Sequence, residues 1–220
     1  MTETEGRRYS GVSADARRAE RRGRFLDAAL TVVARDGVAA ASARSLCAES
    51  GLHARYFREA FASPDDVLAE AFDAMAQTLM ADVAAAITAV PVDATDAVER
   101  KVRAGVRGSL TAIAADPRWA ALLTSADVHP GLRDRREALT DRLAAAMAAQ
   151  AQEILDDPPA PEDALLSARL IAVGGMHLSI AASAGRIDAS PAVVEEIMVA
   201  SILGNRELSA VLRRLRTGSD

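Results

Sequence analysis

The chain has 220 residues, half of them hydrophobic, with 26 basic and 31 acidic groups for a net charge of −5. That balance supports a sizeable buried core and excludes an intrinsically disordered chain. A single cysteine, Cys47, excludes a disulfide scaffold and a multi-thiolate zinc site, and three histidines argue against a histidine metal cage.

Only 3% of the residues are aromatic, and an apolar share carried by Ala, Leu, Val and Ile favours helix over strand. The charge is unevenly spread. Residues 1–62 hold 11 Arg against 8 acidic residues, while the remainder is net −8. A basic amino-terminal end on an acidic body suggests a polyanionic partner, although a basic tail is often only a solvated tail. The opening MTETEGRRYS lacks the apolar core of a secretory leader. The longest uncharged stretch, 16 residues between Arg169 and Arg186, falls short of the roughly 20 a membrane span requires. It reads as a buried helix of a cytoplasmic protein with no membrane partner.

Helix punctuation recurs along the chain, and no window shows sustained strand alternation. Phe25, Ala28, Ala29, Val32 and Val33 share one face of a helix over 14–36, with Gly37 as its cap. Ser42 caps a short helix to about 50, Gly51 breaks it, and a second short helix follows over 54–61. Ser63-Pro64-Asp65-Asp66 combines a cap, a proline suited to the first turn and two acids that complement the helix dipole. The helix it opens carries a stripe from Val67 to Val83 and runs to about 88. Further helices read as 95–115, 117–124, 130–155, 162–186 and 191–203. Gly204-Asn205 interrupts the last, and Leu208, Val211, Leu212 and Leu215 mark a short continuation. The expectation is an all-α protein of nine or ten helices.

The sharpest local signal is the turn Glu49-Ser50-Gly51-Leu52-His53 between two short helices. Glycine frees the backbone for a sharp turn, and Leu46, Leu52, Phe57 and Phe61 can pack the two helices together. This is the helix-turn-helix arrangement, which presents its second helix to the major groove. His53, Ala54, Arg55, Tyr56 and Arg58 then lie at the outward, amino-terminal side of that helix.

The run from Arg24-Phe25-Leu26-Asp27-Ala28-Ala29 through Gly37, Ser42 and Leu46-Cys47-Ala48-Glu49-Ser50-Gly51-Leu52 to Phe61, Ser63 and Leu68 resembles the TetR family of transcriptional repressors. The likeness is detailed over about 19–79 and architectural beyond. Ala54-Arg55-Tyr56-Phe57 looks like a subgroup with arginine and an aromatic in the reading turn. The chain departs from the family at Arg58, where tyrosine is frequent, and at Pro64, where lysine is frequent. Both usual residues are similar to phosphate anchors.

The resemblance implies a flexible basic tail over 1–13, a helix-turn-helix DNA-binding module over 14–62 with the motif at about 44–63, and a helical ligand-binding and dimerisation domain over 63–220. Arg55 is the candidate base reader, since its fork can take guanine O6 and N7 together. An ion pair with Glu59, four residues on, is the competing role. Tyr56 suits a thymine methyl, a phosphate or half-buried packing, His53 a helix cap, and Arg44 and Arg58 phosphate. With Ser42 and Ala54 these complete the candidate DNA surface. Arg17, Arg18, Arg21, Arg22 and Arg24 could reach the backbone or an adjacent minor groove, with Ser63 as a further phosphate contact; equally, the cluster is a solvated helix end.

In the body, Leu166, Leu170, Val173, Gly174 and His177 on one helix and Val194, Ile197, Met198, Ser201 and Ile202 on the next form candidate faces for a homodimeric four-helix bundle, unless both are used within one subunit. The implied ligand pocket is assigned to Leu79, Val106, Leu110, Ile113, Trp119, Leu123, Leu143, Met147, Met176 and His177. Only Phe72 and Trp119 are aromatic beyond residue 62, so an aliphatic or small amphipathic effector suits it better than a flat cationic one. The implied partners are an inverted-repeat duplex operator, that small-molecule effector and a second copy of the chain. No cofactor, metal or catalytic residue is expected, because no GxSxG, P-loop, HExxH or dinucleotide fingerprint is present. The rival reading is a helical ligand- or partner-binding protein with a degenerate DNA-binding module.

Overall fold

A computed structural model describes residues 13–91 and 96–217. The expected tail over 1–13 lies outside these residues except for Ser13, whose hydroxyl accepts from Ala16 N at 3.1 Å and starts the first helix. Among the described residues the protein is all-α, with helices α1 (Ala14–Asp36), α2 (Ala43–Ser50), α3 (Ala54–Ala60), α4 (Pro64–Thr88), α5 (Ala97–Ala115), α6 (Arg118–Ser125), α7 (Pro130–Ile154), α8 (Pro161–Ser183), α9 (Pro191–Gly204) and α10 (Leu208–Thr217). Two 3₁₀ turns, Val38–Ala40 and Asn205–Glu207, join α1 to α2 and α9 to α10. The second falls where Gly204-Asn205 was expected to interrupt the chain.

Starts and stops follow the side chains. Ser42 and Ser45 cap each other's backbone at the start of α2, at 2.9 and 3.1 Å, and Ser63 and Asp66 do so at the start of α4, at 2.8 and 3.2 Å. Proline opens α4, α7, α8 and α9, where its missing N–H costs nothing. Helix α8 ends at Ser183, three residues short of expectation. Gly185 takes φ +65°, Arg186 N donates to Ala181 O and Gly185 N to Ala182 O, which closes the helix with a left-handed residue.

One cluster of buried side chains runs from α1 to α8 and continues across residues 62 and 63. The stripe Phe25, Ala28, Ala29, Val32 and Val33 is its first wall. Phe25 meets Phe57 and Phe61 edge-on at centroid separations of 5.5 and 6.0 Å, fixing α3 and its exit against α1. Helix α4 adds Val67, Leu68, Ala71, Phe72, Met75 and Leu79, and then leaves the head for the body, where it packs along α5. The approach there is close, because a Cβ on Gly108 would stand 3.2 Å from that of Ala86. Helices α7, α8 and α9 complete the body, and α6 packs back on α1.

Helix α8 is long and apolar enough, by length and composition, to cross a membrane, and it is not the fully buried helix its sequence suggests. Ala164, Ala168, Ala172, Ser179 and Ile180 face inward. Leu166, Leu170 and Val173 face out, as does Arg169, which pairs with Asp141 of α7.

Candidate nucleic-acid interface and cavity

The turn between α2 and α3 is built on Gly51, at φ +65° and ψ +22°. Leu52 N reaches back to Cys47 O at 3.2 Å, and Leu52 packs on the core below. His53 caps α3, its Nδ1 accepting from Arg55 N at 3.5 Å. This geometry leaves Ala54, Arg55, Tyr56 and Arg58 exposed on one side of α3, while Phe57 is buried on the other. Arg44, in the first turn of α2, and Ser42 are exposed beside them. The surface is therefore a cluster of guanidinium groups around the amino-terminal half of a short helix. Beneath it, burial pushes the Cys47 thiol up against the opposing pull of Arg58, so it stays protonated.

Arg55 is both exposed and ion-paired. Its side chain is 77% exposed, and its Nε donates to Glu59 Oε1 at 2.7 Å, which raises the guanidinium pKa further. The ion pair is thus present in the protein without DNA and holds the fork at the surface.

The arginines of α1 divide. Arg17 and Arg18 are exposed on its first turns. Arg21 lies over the Tyr56 ring, 4.8 Å from its centroid, and so orients the aromatic that flanks Arg55. Arg22 and Arg24, expected among the arm contacts, are instead engaged in the module. Arg22 Nε donates to Glu70 of α4 at 2.8 Å, its other arms reach Glu70 and Ala60 O, and its guanidinium covers Phe61 at 4.3 Å. Arg24 donates to Ser50 O at the end of α2. The reason is position on the helix: both lie beside the buried Phe25, so they point towards α2, α3 and α4. Ser63 is likewise occupied as the cap of α4.

Between α4, α5, α7, α8 and α9 lies a cavity of about 210 Å³. Of the residues assigned to the implied pocket, Leu79, Val106, Ile113, Leu123, Leu143, Met147 and Met176 line this cavity. Leu110, Trp119 and His177 do not. The wall of α5 is Val98, Val102, Val106, Ser109 and Ile113, and Leu110 is one position further round. Trp119 packs on the core from α6, and His177 is exposed on the outer side of α8. Sequence reasoning missed the polar lining, namely Lys101, Ser109, Gln150, Ser167, Ser179, Asn205 and Arg206. Ser109 and Ser179 sit four residues from wall residues of their own helices, a spacing that could have revealed them.

The two faces assigned to a subunit bundle also divide. On α8, Leu166, Leu170, Val173, Gly174 and His177 are all exposed, Leu170 by 76%. On α9, Ile197 and Ser201 are exposed, but Val194 is buried and Met198 and Ile202 line the cavity. Helix α9 is apolar on more than one side and serves inside and outside at once, which a single stripe does not capture. The outward faces of α8 and α9 form an apolar surface without a partner in the single chain.

No protein-family model and no curated protein matches the chain. Solved structures do. A protein from Pseudomonas aeruginosa PAO1 assigned as a transcriptional regulator aligns with TM-score 0.68 and 21% identity, over 90% of this chain and 94% of that one. A TetR-like transcriptional regulator from Rhodococcus sp. RHA1 aligns with TM-score 0.65 and 16% identity, over 84% and 94%. The multidrug binding protein EbrR, complexed with imidazole, aligns with TM-score 0.60 and 20% identity, over 82% and 94%. The likeness is one of fold, and the fold is the all-α arrangement of TetR-like regulators.

Proposed function

We propose that the chain is a DNA-binding transcriptional regulator, not an enzyme, and that it acts in the cytoplasm as a homodimeric TetR-like repressor of an inverted-repeat operator. The observation that carries this reading is the exposed arginine cluster of α2 and α3, raised on a helix-turn-helix whose inner face is locked by Phe25, Phe57 and Phe61. Arg55 reads base edges, Arg44 and Arg58 hold phosphates, and Arg17, Arg18 and Arg21 add backbone contacts. Residues 14–62 serve as the DNA-binding module, and residues 63–220 as the ligand-binding and dimerisation domain.

The exposed apolar faces of α8 and α9 pair two copies about a two-fold axis, which spaces two reading helices for two half-sites. A small effector in the cavity releases the operator. Helix α4 is the transmitting element, because it starts beside the reading head at Ser63 and presents Leu79, Val83 and Ile87 to the cavity without a break. A ligand chooses between two head spacings only through its differential affinity for them. Selection of bound sites from random DNA, followed by mobility shift, tests the reading. An enriched inverted repeat is expected. A helical binding protein with a degenerate module would enrich nothing and shift no fragment, and that outcome would reject the proposal.

A further inference from the structure

We infer that the effector is a medium-chain aliphatic carboxylate, bound with its head at the Lys101 and Arg206 end of the cavity. This rests on the proposed effector role of that cavity and adds the ligand's chemistry and orientation.

Three observations carry it. The first is the lining, which among the described residues holds no aromatic and no acidic side chain. Its only ionisable groups are the two cations, Lys101 and Arg206, and neither is ion-paired to a described residue.

The second is that the cavity has two unlike ends. Ile180, late in α8, and Ile113, late in α5, share the core beside the reading head with Leu79, Leu123 and Leu139. The first turns of α5 and α8 therefore lie at the far end, with Lys101. Ser167 donates to Asn205 Oδ1 at 2.8 Å, which brings Arg206 to that same end. The near end is aliphatic apart from the hydroxyls of Ser109 and Ser179, which already donate to Val106 O and Gly175 O of their own helices, and the far end is positive. A carboxylate there gains two cationic partners while its chain displaces water from aliphatic walls. An ammonium amphiphile would meet two like charges with no acid to offset them.

The third is size. At about 210 Å³ the cavity is smaller than the roughly 300–1,000 Å³ of sites for drug-sized ligands. That favours one slim alkyl chain of medium length over a fused-ring ligand.

The test is calorimetric titration of the full chain with octanoate, octanol and octylammonium. Octanoate is expected to bind about tenfold or more tighter than octanol, with octylammonium weakest. From hexanoate to octanoate each methylene should tighten binding about fourfold. In the Lys101→Met, Arg206→Met variant, octanoate should fall to the level of octanol while octanol is unchanged. If that variant does not melt cooperatively, salt takes its place, weakening octanoate and not octanol in the native protein. Octylammonium equal to octanoate, a preference for octanoate that survives the double substitution or high salt, or no binding of any of the three overturns the inference. The random-DNA selection is run in parallel. An enriched site without alkyl binding removes only the ligand assignment. Octanoate binding without an enriched site supports the ligand and removes the regulator reading.

Discussion

The guanidinium of Arg118, at the start of α6, stands 2.8 Å from the carboxylate of Asp27 on α1. The same Nη1 donates to the Thr31 hydroxyl at 2.8 Å, while Nε and Nη2 hold Asp116 at 2.9 and 2.7 Å. One side chain thus joins α6, which presents Leu123 to the cavity, to α1, on which α2 and α3 pack. Asp116-Pro117 was legible as a helix start, but the reach of Arg118 across 87 residues of sequence to Thr31 was not.

Arg118→Ala should lower stability at neutral pH by about 1 kcal/mol, discounted because the group is about one-third exposed. Arg118 holds the Asp116 carboxyl below its ordinary value of 3.8. A carboxyl depressed in the folded state contributes stability above its unfolded pKa and loses it as pH falls through the folded value. The gap between native protein and variant should therefore be constant from neutral pH down to about 5 and close below about 4. Urea titrations across that range check it, and a gap that widens in acid would contradict the assignment.

Arg55→Ala should weaken operator binding by about 1–3 kcal/mol and relax one base position in each half-site. Arg44→Ala and Arg58→Ala should weaken all sequences alike and reduce the salt slope by about 1 each. Because Glu59 holds Arg55 in the free protein, Glu59→Gln should free the fork and tighten binding. Site selection and mobility shift at several salt concentrations separate these roles.

Gly51→Ala should destabilise the protein by about 1–2 kcal/mol, since the position requires a left-handed backbone. The added Cβ would also stand 3.3 Å from an Arg24 Nη2 that donates to Ser50 O. Chemical denaturation gives the magnitude, and an unchanged midpoint would show that the turn relaxes.

In solution the protein should weigh twice 23.1 kDa. Ile197 is 55% and Leu170 76% exposed in the single chain, so Ile197→Asp or Leu170→Asp should leave the monomer folded and place an unpaired carboxylate in the dimer seam. Sedimentation should then show monomers with a normal circular dichroism spectrum. A dimer that survives both changes would place the seam elsewhere.

Filling the cavity should mimic its occupant. Leu110 lies off the cavity wall and is unsuited to this, whereas Val106 is buried and lines it. Val106→Phe should cost about 1–3 kcal/mol of stability through overpacking and weaken operator binding without ligand. Melting and mobility shift are measured together, and a folded variant with native operator affinity would argue against coupling through α4.

What the sequence determined by itself was mostly local. Ser42, Ser63, Gly37 and the proline starts specify helix ends, because a cap or a forced φ acts on its own few residues. The α1 stripe and the outward side of α3 followed from helical period, since one face of each is strongly polar. Tertiary structure decided everything that depends on which neighbour a face meets. Arg22 and Arg24 looked no different from Arg17 and Arg18, yet packing beside Phe25 turned them to Glu70 and Ser50. Helices α8 and α9 are apolar on more than one side, so periodicity could not tell cavity wall from outer face. Only the placement of α5 and α7 sends Met198 and Ile202 inward and leaves Ile197 and Leu170 outside. The positive end of the cavity is of the same kind. Lys101 and Arg206 are 105 positions apart in the chain, and they share that end because α9 packs along α5 and Ser167, early in α8, holds Asn205 just after α9.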